Sequence, residues 1–170
     1  LDNRDHRLKY ARHGLAYAQY ARKLNPRRVE PYYYEALNLA KMAEVKSRLK
    51  MVPTMIAAAR KAAEIDEGYA NAGPLVFQGK VYLTAPPWPM SVGNVEKAVE
   101  LLDRAVKIAP IPLNRVFLGE AYYQDEQYNE AKVQIEKALR EAGPFDLAPH
   151  WRSEAEECLI QINTALRTGW

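Results

Sequence analysis

Apolar positions recur along this chain with helical periodicity, and one short register comes round four times. Gly14, Ala18 and Ala21 share it with Met55, Ala59 and Ala62, with Ala98, Leu102 and Ala105, and with Ala131, Ile135 and Ala138. Offsets of four and seven residues stack three side chains on one face of an α-helix. Small side chains there let a second helix approach closely. Each stretch stops soon afterwards, at Pro26, Asp66, Pro110 or Gly143, where proline, glycine or an acidic turn ends a helix.

The last three stretches each have a candidate partner helix upstream. These are Pro31–Leu39, Pro74–Tyr82 and Asn114–Tyr122, in which a small residue (Ala36, Gly79, Gly119) precedes a large one (Leu39, Tyr82, Tyr122) by three positions. Glycine within a helix costs roughly 1 kcal/mol against alanine, so Gly79 and Gly119 imply a tightly packed neighbour. The first stretch, over residues 8–26, reads as the second helix of a truncated pair. After Gly143 a final helix is predicted over Trp151–Thr168. Ala155, Cys158, Leu159, Ile162 and Leu166 form its apolar stripe, and Arg152, Glu156, Glu157 and Gln161 its polar side. A half-polar end helix caps a stack of helix pairs against water.

On these residues the chain resembles the tetratricopeptide repeat (TPR). Residues 112–144 match through Gly119, Tyr122, Ala131, Ile135, Ala138 and Gly143. Residues 72–110 match through Gly79, Tyr82, Ala98, Leu102, Ala105 and Pro110, and residues 29–67 more loosely through Ala36, Leu39, Met55, Ala59 and Ala62. The resemblance implies an all-α, right-handed solenoid of antiparallel helix pairs in a single domain: a partial repeat over 1–28, repeats over 29–67, 72–110 and 112–144, and a capping helix over 149–168.

Two repeats depart from the pattern in the same way. Gly119 to Ala131 is 12 residues, whereas Gly79 to Ala98 and Ala36 to Met55 are both 19. The first extension, Ala43–Val52, is charged and helix-compatible, and is predicted to lengthen the helices. The second, Thr84–Gly93, is a proline-rich loop holding Trp88. With its Gly-Pro entry and this loop, Pro74–Pro110 looks like the T-component lipoproteins of TRAP-type transporters, and has some similarity to regulator-of-microtubule-dynamics proteins. The first likeness implies a periplasmic or cell-envelope accessory protein that docks a substrate-binding protein or holds a small apolar ligand. The cytoplasm is the alternative compartment. No signal peptide is visible behind Leu1, and the lipid-bearing cysteine of such a lipoprotein is not at that end.

Composition narrows the classes without naming a chemistry. With 48% hydrophobic and 26% charged residues over 170 positions, the chain belongs with folded globular proteins. One cysteine, Cys158, excludes an intrachain disulfide and a multi-cysteine metal site. The net charge of +3 hides an asymmetry. Residues 1–66 carry 14 Lys/Arg against 7 Asp/Glu, and residues 67–170 carry 10 against 14. The uncharged run Val81–Val95 is too short and too rich in proline to span a membrane.

Catalytic and cofactor signatures do not emerge: no GxGxxG, phosphate loop, CxxCH or HExxH occurs. His6 and His13 sit seven apart and could share a helix face with Asp2, four residues before His6, but they read as exposed histidines. Cys158, on the apolar stripe, reads as a buried inert thiol. Asp125-Glu126 reads as an ordinary interhelical turn. No enzyme activity, cofactor or metal is expected.

Binding is the better expectation. By the TPR resemblance, one aligned position (Tyr33, Val76, Val116) and two others (Leu37, Lys80, Glu120; Ala40, Leu83, Tyr123) face the concave surface. Tyr33, Leu37, Lys80, Leu83, Glu120 and Tyr123 are therefore expected to form a groove for a partner protein or peptide, with core packing the competing role for each apolar member. Trp88 is either an exposed anchor on a rigid loop or a ring folded back over the Gly79–Tyr82 helix. Arg22, Lys23, Arg27 and Arg28 form a basic patch near tyrosines. No nucleic-acid-binding motif accompanies it, so the partner is read as protein, with self-association left open.

Overall fold

The computed structural model describes residues 3–46, 49–144 and 146–169. These form eight α-helices: α1 (Asn3–Leu24), α2 (Val29–Lys46), α3 (Val52–Ile65), α4 (Tyr69–Thr84), α5 (Val95–Ile108), α6 (Pro112–Gln124), α7 (Tyr128–Glu141) and α8 (Pro149–Thr168). A 3-10 turn, Leu49–Met51, joins α2 to α3. Successive helices pack in antiparallel pairs, α2 with α3, α4 with α5 and α6 with α7, and each first helix also touches the first helix of the next pair. The result is the all-α solenoid that the TPR resemblance implied.

The repeated register is the spine of this packing. Ala98, Leu102 and Ala105 on α5, and Ala131, Ile135 and Ala138 on α7, are fully buried. A methyl group on Gly79 would lie 2.6 Å from Leu102 Cγ, and one on Gly119 would lie 2.6 Å from Ile135 Cδ1. The bare glycine backbone is thus the recess into which the large residue of the facing helix inserts. The α2–α3 pair distributes its volume differently. Ala36 meets Ala58 and Ala59 in a small cluster that Phe77 covers from α4. The main core runs from Leu39 through Tyr82 and Leu102 to Leu118, and a second one from Val116 to Ile162.

Turn chemistry sets the helix starts. Asn94 caps α5 by accepting a hydrogen bond from the Lys97 N–H at 2.6 Å, the usual way of satisfying an orphan donor. Pro112 and Pro149 occupy the first turns of α6 and α8, where their missing N–H costs nothing. The entry to α4 is unusual. Ala70, Asn71 and Ala72 hold φ of 51°, 59° and 61° before the right-handed run continues through Pro74. This left-handed turn is clamped from α6, because the buried Asn114 side-chain amide donates to Asn71 O at 3.0 Å and to Ala109 O at 2.9 Å.

The two extensions differ in form. The first lengthens α2 to 18 residues against 13 in α6, but α3 keeps the 14 residues of α5 and α7. The expected lengthening therefore falls on the first helix alone, with the 3-10 turn taking up the rest; Ser47 and Arg48 lie outside the described residues. The second extension is a closed loop. Gly93 N–H donates to Pro86 O at 2.9 Å and Asn94 N–H to Tyr82 O at 2.9 Å. A side chain on Gly93 would collide with the backbone oxygen of Ala85, so glycine is required at that closure.

A candidate partner-binding groove

The first helices α2, α4 and α6 line one face, and α8 continues their row. Trp151 at the start of α8 packs edge-on against Phe117 of α6, with centroids 5.0 Å apart. The helix buries Ala155, Cys158 and Ile162. Its polar side then becomes a wall of the groove. Glu154, Glu157 and Gln161 face Glu120, Tyr123 and Gln124 across an open cleft of about 320 Å³.

The anticipated groove residues divide into four groups. Tyr123 lines this cleft and stacks obliquely on Tyr128 at 5.7 Å. Lys80 and Glu120 meet each other: Lys80 Nζ donates to Glu120 Oε2 at 2.7 Å, tying α4 to α6, and lies 4.3 Å from the centroid of the Phe117 ring. Their charges thus brace the face, and both retain partial exposure. Leu83 is 7% exposed and belongs to the main core, and Val116 is wholly buried. Leu37 and Tyr33 are half-buried, the latter edge-on to Tyr69 at 5.5 Å. Burial raises the Tyr33 phenol above its ordinary pKa.

Trp88 resolves in favour of the exposed tip. Its ring is 85% exposed, and Met90 beside it is 70% exposed. The basic patch is partly consumed. Arg22 Nη1 donates to the buried Glu35 carboxylate at 2.8 Å, joining α1 to α2. Arg28 pairs with Glu30, whose carboxyl it holds down near pKa 2. Lys23 and Arg27 remain on the surface.

The groove wall contributed by Glu154, Glu157 and Gln161 was missed in the sequence, where α8 reads as a cap. Their spacing of three and seven residues, on the flank of the Ala155–Ile162 stripe, was the available signal. Cys158 borders the same cleft, but burial, with Glu120 nearby, pushes its thiol up to about 11. Such a thiol is protonated and weakly nucleophilic at neutral pH. Among the described residues no three His, Cys, Asp or Glu side chains gather as a metal site. No described helix is long and apolar enough to cross a membrane.

Eight helices stacked in antiparallel pairs, with glycine recesses opposite large residues and a shared face of first helices, define a TPR-like solenoid. TTC0263, a thermophilic TPR protein of Thermus thermophilus, is similar in structure. The TM-score is 0.70 at 21% sequence identity, over 90% of this chain and 75% of that one. At that identity the likeness speaks for the fold. No family model matches the chain, and no curated protein sequence does.

Proposed function

We propose that this protein is a non-catalytic scaffold that holds a segment of a partner protein along the face of α2, α4, α6 and α8. The observation that carries this reading is the open cleft between α6 and α8, where an aromatic ring, Tyr123, is set among Glu120, Glu154 and Glu157. Lys80 offsets part of that negative charge, and the remainder favours a segment carrying Lys or Arg beside an apolar side chain. Trp88 adds a second anchor on its closed loop, since exposed tryptophans are frequent hot spots. A transporter-accessory role with a small apolar ligand has less support, because a carrier needs an enclosed chamber and these clefts are open.

Fluorescence anisotropy with labelled peptides tests the reading. Peptides alternating Arg and Leu are expected to bind, and Glu-for-Arg counterparts to bind at least about tenfold more weakly. Tyr123→Ala with Glu157→Lys is expected to weaken the Arg/Leu peptides by about tenfold or more while leaving the helical circular dichroism unchanged. Equal binding of both peptide classes, or wild-type binding by the double variant, would sink the reading.

A further inference from the structure

The α3–α4 junction holds its backbone against the preference of its own residues. Ala70, Asn71 and Ala72 stand one after another in the left-handed region, where a side chain crowds the following carbonyl oxygen. Among the described residues the only other non-glycine residue with positive φ is Glu126, between α6 and α7. The α1–α2 and α5–α6 junctions reverse the chain without one. Alanine is also the strongest right-handed helix former, so Ala70 and Ala72 oppose the conformation they adopt. Strain of this kind persists only where the surroundings over-determine it.

Those surroundings come from the later repeats. Asn114 of α6 is 3% exposed, and its amide spans the start of two successive pairs by donating to Asn71 O and Ala109 O. Ala72 is wholly buried against Leu75 and against Ala105 of α5. What the turn positions belongs to the earlier repeat. The Gly73 backbone lies against Tyr33 of α2, so closely that a methyl group there would sit 2.5 Å from the phenol oxygen. Tyr69, just before the turn, packs edge-on against the same ring. Winding residues 69–72 right-handed would relieve the backbone. It would also withdraw Asn71 O from Asn114 and Ala72 from Ala105.

We infer that this junction is a two-state latch between α1–α3 and α4–α8, closed by Asn114. In the closed state the turn is left-handed, as described above. In the released state it rewinds right-handed, and α1–α3 turns against α4–α8. Tyr33 and Leu37 move with α2, whereas Lys80, Glu120 and Tyr123 move with α4 and α6, so the two states present differently shaped faces. A ligand that prefers one shape shifts the balance between them. The latch stands apart from the scaffold reading, because it uses none of the residues altered in the peptide test and its own test uses no ligand.

Double electron–electron resonance on the whole chain provides the test, in a Cys158→Ala background because Cys158 is the one cysteine. Spin labels at Arg60→Cys on α3 and Glu136→Cys on α7 report across the junction. Labels at Glu100→Cys and Glu136→Cys report within α4–α8 as the control, and all of these positions are exposed. With the turn unaltered, each pair should give a single distance. Asn114→Ala should add a second distance to the first pair and none to the control. Ala70→Val, at an exposed position with Asn114 intact, puts a β-branched residue at positive φ. It should add the same second distance, and it keeps the test decisive if the Asn114→Ala protein does not fold. Ala70→Gly with Asn71→Gly, added to Asn114→Ala, removes the strain and should shrink the second population by about fivefold or more. A single distance in every variant, a second distance in the control pair, or a second population indifferent to the glycines would each overturn the inference.

Discussion

At the scale of single residues, the packing rests on volume traded between facing positions. Gly79 accommodates Leu102 and Gly119 accommodates Ile135, whereas Ala36 meets the smaller Ala59. Gly79→Ala should therefore destabilise by about 1–3 kcal/mol through overpacking, even though alanine is the better helix former by roughly 1 kcal/mol. Leu102→Ala alone should cost about 2–5 kcal/mol by opening a cavity. Combined, the two substitutions recreate the Ala36–Ala59 arrangement, so in the Leu102→Ala background Gly79→Ala should become neutral or stabilising. Urea denaturation of the four proteins measures this coupling, and additive costs would refute the recess account. Both glycines were legible from sequence as sites of close approach, because each breaks a helical propensity that only a neighbour repays. Their insertion partners were visible only as members of the repeated register.

At the scale of elements, the helices were readable from periodicity and stop signals, but the entry to α4 was not. Ala70, Asn71 and Ala72 carry no glycine to announce three positive φ values. The turn persists because Asn114, 43 residues away, supplies the hydrogen bond, and contacts at that separation leave no local trace. Asn114→Ala should cost about 2 kcal/mol, since it strips a partner from two backbone carbonyls. Ala70→Gly should relieve strain of roughly 1 kcal/mol, whereas Ala57→Gly on the exposed side of α3 should lose about 1 kcal/mol. Thermal unfolding of the three variants checks the opposite signs at Ala70 and Ala57. The proline-rich loop shows the same limit of local reading. Its rigidity was evident from Pro86, Pro87 and Pro89, but whether Trp88 folds back depends on the closure from Gly93 and Asn94 to the α4 end.

At the scale of the whole molecule, the charge asymmetry becomes a difference between two ends, basic at α1 and acidic along exposed α8. The cleft between α6 and α8 was half legible. Tyr123 and Glu120 could be placed from the TPR resemblance, whereas Glu154 and Glu157 enter only because α8 continues the row of first helices instead of merely closing the stack. Leu83 was indistinguishable from a groove residue until its burial was seen. The scaffold reading is tested most directly by site-specific photo-crosslinking in cells that produce the protein, with the reactive group placed at Tyr123 or Gln161 in the groove and at Arg140 on α7 as the off-groove control. The account predicts that the two groove positions capture the same discrete partner, that Arg140 does not, and that Glu157→Lys reduces the capture. Capture from Arg140 equal to that from Tyr123, or capture indifferent to Glu157, would contradict it.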